Sequence, residues 1–296
     1  MMIRTTASIA FMLAALLALP AGAQPGAATG APPKGPATVY SLEIAGKTGV
    51  LLGAQGVSGP RGPATGAPKA PPAARTEITL EAGTGLPQAF YDWVGGALAG
   101  RAPPFAATLH GAEVSGGAGV TASLANPRLI SISFAALDKT SQAPMRMDVR
   151  LQAAVSVEPV KSPKLPKAAQ ATRWLASGYR LTLGGGLDAG QVTHIHAFTL
   201  APGTGAQLEL TVSGGAAGAF ARMAPTPKKR AAVGLDDGQL ELLGADGGVI
   251  ATLALHGLQL ASFYYGPPLA AGGARPGIVG LMAQRVDLKF APAMGH

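Results

Sequence analysis

Apolar and polar residues alternate in short runs along most of this chain, and the runs predict strands. Residues 76–81 (TEITLE) set Ile78 and Leu80 against Glu77, Thr79 and Glu81, the period of a sheet with one buried face. Residues 39–44 (VYSLEI) alternate in the same way and stop at Ala45 and Gly46. Residues 50–52, 105–109 and 129–134 (LISISF) are further candidates. The most regular run is 145–157, where Met145, Met147, Val149 and Leu151 oppose Arg146, Asp148 and Arg150. Later runs fall at 179–183 (YRLTL), 192–200, 207–212 (QLELTV) and 284–290 (QRVDLKF). Residues 239–243 and 249–260 flank Asp246, Gly247 and Gly248 and predict a hairpin.

The period changes after residue 85. Phe90, Trp93, Val94, Ala97 and Leu98 recur at helical spacing and form one apolar stripe, with Pro87 suited to a first helical turn. The chain has 8 Phe, 5 Tyr and 2 Trp, so the cluster of Phe90, Tyr91 and Trp93 predicts a helix that plugs a core. Residues 213–223 follow the strand 207–212 in the same way, with Phe220 and Met223 one turn apart, although the segment is poor in helix formers.

Strand, long loop, strand, helix, hairpin, connection and final strand thus occur twice, which predicts an internal duplication. The expected fold is mainly β: two tandem β-barrel or sandwich domains, each with one short packed helix. The expected boundaries are a signal peptide at 1–23, a disordered lead-in at 24–38, a β domain at 39–158, a Pro-rich linker at 159–173 and a more degenerate β domain at 174–292. The Pro- and Gly-rich loop at 53–74 is long for the inside of a domain.

Composition narrows the setting. Apolar residues make up 48% of the 296, enough for a core, and charged residues only 13%. Arg4, the apolar stretch 7–19 and the Ala21, Gly22, Ala23 cleavage pattern read as a secretory signal, with Gln24 as the new first residue. The stretch is too short for a comfortable span, so no transmembrane segment is expected in the mature chain and the expected location is periplasmic or extracellular. With no cysteine, stability must come from packing, and thiolate chemistry is excluded. The formal charge is +8, but the basic residues are scattered. The one dense cluster, Lys228, Lys229 and Arg230, lacks stacking aromatics, so nucleic-acid binding is not expected.

No catalytic signature emerges, and no catalytic, cofactor-binding or metal site is assigned. His194 and His196 share a strand face at a metal-compatible spacing, with no recognisable third ligand. Asp236, Asp237 and Gly238, like Asp246, Gly247 and Gly248, fit turns better than calcium loops. Gly184, Gly185 and Gly186 precede no phosphate-loop pattern. No G-x-S-x-G accompanies His110 or His256. Glu77 and Glu81 share a strand face without further glycosidase features. Phe263, Tyr264 and Tyr265, with Trp93, suit packing or a binding groove.

One family resemblance covers residues 40–157. The run EITLEAGTGL at 77–86, followed by AFYDW at 89–93, resembles the strand, loop and helix of the contractile-phage tail tube protein family. LISISFAALD at 129–138, preceded by Asn126 and followed by the strand at 145–151, resembles a later stretch of the same family. The resemblance implies a β-barrel or sandwich with one packed helix, whose subunits join edge to edge into stacked hexameric rings. Two departures stand out: such proteins normally lack an export signal, and the loop at 53–74 has no close counterpart. The expectation is a non-enzymatic, exported homo-oligomer, with other phage-tail-like components as possible partners and no cofactor. The alternative is a periplasmic or cell-surface module that binds a glycan or protein.

Overall fold

All strand pairs in the computed structural model are antiparallel among the described residues, which are 38–57, 75–101, 105–113, 118–161, 174–225, 232–268 and 274–292. The predicted signal peptide, nearly all of the lead-in and the Lys228–Arg230 cluster lie outside them. So do residues 58–74 of the predicted loop and 162–173 of the predicted linker.

The first half runs β1 (Thr38–Ile44), β2 (Lys47–Leu51), β3 (Gly53–Gln55), β4 (Arg75–Ala82), α1 (Gln88–Leu98), β5 (Ala106–Glu113), β6 (Ala118–Phe134), β7 (Leu137–Asp138) and β8 (Met147–Lys161). Ala45 and Gly46 both take positive φ, 51° and 77°, which a two-residue type I′ hairpin requires. The sheet order is β2-β1-β5-β6-β8-β4-β3. Leu52 alone separates β2 from β3, and its N–H donates to the Glu81 carbonyl at 2.9 Å. The two ends of the order are therefore one bent strand, and the sheet curls into a barrel.

The second half runs β9 (Trp174–Thr182), a 3-10 turn (Ala189–Gln191), β10 (Val192–Ile195), β11 (Phe198–Leu200), β12 (Ala206–Val212), α2 (Gly214–Met223), β13 (Val233–Gly234), β14 (Gly238–Gly244), β15 (Val249–His256), β16 (Gln259–Tyr265), β17 (Gly277–Ala283) and β18 (Arg285–Phe290). Two sheets form, β13-β16-β17-β12-β10-β7 and β18-β15-β14-β9. They meet at one corner, where β15 turns into β16 and β17 into β18. There the Gln284 N–H donates to the His256 carbonyl at 2.9 Å. The predicted strand at 249–260 is thus bent at Gly257, whose φ is 61°.

Both halves follow one plan. Each strand that precedes a helix, β4 or β12, lies beside the last long strand, β8 or β17. Leu109 faces Ala122 as Leu240 faces Leu253, a displacement of 131 residues (109 to 240, 122 to 253). Ile78 faces Leu151 as Leu208 faces Leu281, a displacement of 130 (78 to 208, 151 to 281). Even the irregularities repeat: left-handed Asn126 corresponds to left-handed Gly257, and a bulge between Leu129 and Ser131 to one between Leu260 and Ser262. The duplicated order sets the regular run 284–290 against 145–151 as final strand, but the register matches β17 to the start of β8. Gly277 and Gly280 dilute the alternation of β17 and hid it.

One core runs through both halves, from Leu42, Phe90 and Val149 to Phe220, Leu253 and Leu281. α1 buries Phe90, Tyr91, Trp93, Val94, Ala97 and Leu98, while α2 buries only Ala217 and Phe220. Phe90 and Phe220 occupy equivalent places and are both fully buried.

Candidate assembly interface

The most distinctive site is the joint between the two halves, built from strand edges. β11 pairs with the end of β6, Phe198 opposite Phe134 and Leu200 opposite Ile132. The Phe134 and Phe198 rings stack at 4.9 Å, and Ser133 Oγ lies 2.9 Å from Thr199 Oγ1. The segment after β6 contains β7, which pairs with β10, Asp138 opposite His194 and Leu137 opposite Ile195. Lys139 then donates from its backbone N–H to the Thr193 carbonyl and from Nζ to the Gly190 carbonyl, at 3.2 and 2.6 Å. Met145 N–H donates to the Trp174 carbonyl at 2.7 Å. Edge pairing of this kind satisfies backbone groups that a free edge leaves open.

The helix α1 supplies a second contact. β18 pairs only with β15 among the described residues, and α1 packs against it. Tyr91 meets Phe290 at 5.0 Å, and a Cβ on Gly95 would lie 2.6 Å from the Leu288 carbonyl oxygen. Tyr91 also donates its hydroxyl to the Gly83 carbonyl at 2.7 Å and accepts from Leu86 N–H at 3.2 Å. Burial pushes the Tyr91 phenol up. Tyr179 is pushed up too, by burial and then by the nearby Asp138 charge. Asp138 is held below the usual carboxylate range, chiefly by the Thr140 hydroxyl and N–H, with a smaller contribution from His194.

The polar residues singled out in the sequence become local partners. His194 Nδ1 lies 3.5 Å from Asp138 Oδ2, and His196 Nε2 lies 3.5 Å from Glu209 Oε1. Their rings meet edge to face at 4.7 Å, and no cluster of three or more potential metal ligands occurs among the described residues. His110 Nε2 lies 3.3 Å from Glu43, and His256 lies 2.7 Å from Asp237 and 3.2 Å from Asp287. Glu77 of β4 pairs with Arg150 of β8, and Glu81 with Arg146 just before β8. Asp246 caps its turn by accepting from Gly248 N–H at 3.0 Å. Tyr264 and Tyr265 are 53% and 48% exposed at the end of β16.

Sequence reading missed β7 and the β6–β11 edge as interface elements. The only signal was the small apolar run at 135–137 after LISISF. No helix among the described residues is long and apolar enough to cross a membrane. No protein-family model matches the chain, and a search of curated proteins finds no match.

Proposed function

We propose that this chain is an exported, non-enzymatic structural subunit made of two copies of one tail-tube-like barrel unit, which assembles through strand edges into rings or tubes. One observation carries the reading: the equivalent strands of the halves share their order, their register and the bulge after Leu129 or Leu260, and the halves already join edge to edge within the chain. The resemblance of residues 77–93 and 126–138 to the tail tube family supports it as a family analogy. The export component rests on residues 1–23 alone.

Two barrel units per chain give a six-unit ring from three chains. The test is size-exclusion chromatography with light scattering on the chain from Gln24, followed by negative-stain microscopy. Rings, stacked discs or filaments with chains in multiples of three are expected. A monomer at every concentration overturns the reading and gives the lead to a binding module for a glycan or protein.

A further inference from the structure

The internal joint uses one face of each half, so each half keeps the other face. The first half offers the end of β6; its counterpart in the second half is the end of β16, displaced by 131 residues (134 to 265). Ile132 and Phe134 are buried under β11; of their counterparts Phe263 is partly buried and Tyr265 is about half exposed, as is Tyr264, the counterpart of Ser133. Beyond Leu260, β16 pairs only with β17 among the described residues. The second half offers β10, whose counterpart is β3: His194 and Ile195 face Thr211 and Leu210 as Gly53 and Ala54 face Glu81 and Leu80. β3 pairs only with β4 among the described residues. Leu52 beside it is 61% exposed, and Val57 follows Ala54 at the distance at which Phe198 follows Ile195.

The charges repeat with their signs exchanged. In the internal joint, Asp92 of α1 and Lys289 of β18 line one shared cleft together with Arg101 and Asp287. The counterpart of Asp92 is Arg222 on α2, since Phe90 corresponds to Phe220. The counterpart of Lys289 is Glu158 on β8, since Glu158 faces Thr121 as Lys289 faces Thr252. Asp92, Lys289, Arg222 and Glu158 are all exposed. Opposite charges therefore line the cleft of the internal joint, and the equivalent positions elsewhere in the chain carry the reversed pair, a pattern that suits a complementary interface.

We infer that a second copy of this chain docks on these open faces, repeating the internal joint between chains. The end of β16 in one copy approaches Val57 of the next as the end of β6 meets Phe198, Pro267 and Pro268 approach β3 as β7 meets β10, and α2 with Arg222 lies against Glu158 of β8. The contact is head to tail, so it generates a ring where the rotation closes and a filament where it does not. Pro267 and Pro268 stand where the first half has Ala136 and Leu137, the first residue of β7. Proline cannot donate to a ladder, so this joint is narrower than the internal one. The inference rests on the self-assembly reading above and names its surface.

Charge exchange tests it. Arg222→Glu and Glu158→Arg should each weaken assembly by about tenfold or more in sedimentation equilibrium, and the double exchange should restore it. Tyr264→Glu should weaken assembly to a similar extent. Circular dichroism and melting of the four proteins report whether the barrel units remain folded. Assembly unaffected by the reversals and by Tyr264→Glu, or reversals that are not rescued in folded protein, overturns this surface and leaves self-assembly standing. A wild-type chain that stays monomeric overturns both.

Discussion

Helices α1 and α2 leave equivalent strands and anchor equivalent phenylalanines, yet they differ in everything beyond that anchor. α1 buries six side chains because one face packs on its own barrel and the other on β18. α2 buries two, because only its own barrel lies against it. The ends of β6 and β16 repeat the contrast: Phe134 is buried beneath Phe198, while Tyr265 is exposed. The difference lies in what covers each unit, since the strands that flank the two helices keep the same order and register. A covered face acquires large aromatics and close glycine contacts, whereas an open face keeps amphipathic tyrosines with one polar end.

The comparison is tested most strongly at the anchors. Phe90→Ala and Phe220→Ala should each destabilise the fold by about 3–5 kcal/mol, because both rings are fully buried. Urea unfolding checks this, and a cost well under 1 kcal/mol at Phe220 would break the equivalence of the helices. Glycine substitutions should then separate the two helices. Gly95→Ala puts a methyl 2.6 Å from the Leu288 carbonyl oxygen and should cost about 1–3 kcal/mol. Gly215→Ala meets open space in α2 and should be neutral or stabilising by up to about 1 kcal/mol. The thermal melt of Gly95→Ala should fall, while that of Gly215→Ala holds or rises.

Smaller effects are electrostatic. Glu77 and Arg150 are each about half exposed, so Glu77→Gln should cost under about 1 kcal/mol, and less at high salt. Asp138 and Asp237 are both held below the ordinary carboxylate range, Asp138 first by Thr140 and Asp237 first by its bond to His256. A depressed carboxyl adds stability above its unfolded pKa, and that stability is lost as pH falls through the folded value. Melting curves between pH 7 and pH 3 should therefore show Asp138→Asn less stable than wild type at neutral pH, with the gap closing in acid. A gap that widens in acid would contradict the assignment.

Much of the fold was legible because alternation is local. Residues 39–44 became β1, 76–81 became the body of β4, and the apolar stripe from Phe90 to Leu98 became α1. The hairpin around Asp246 also formed, as β14 and β15. What stayed hidden depends on distant partners. Closure of the first barrel turns on Leu52, a single residue between two short strands. The start of β6 lacks contrast, because Gly119, Ala122 and Ala125 are small whichever way they face. β7 is two residues long and exists because β10 lies beside it. The interface was the least legible part, since edge pairing uses backbone groups that every residue carries. The histidine and aspartate pairs, which suggested chemistry by spacing, proved to be cross-strand and turn partners.

Negative-stain class averages of the assembled chain, counted against its mass from light scattering, test the central claim most directly. Two equivalent units joined head to tail predict closed rings or stacked discs in which each chain contributes two barrel-sized densities, six for three chains. Single two-lobed particles at every concentration, with the mass of one chain, would contradict it.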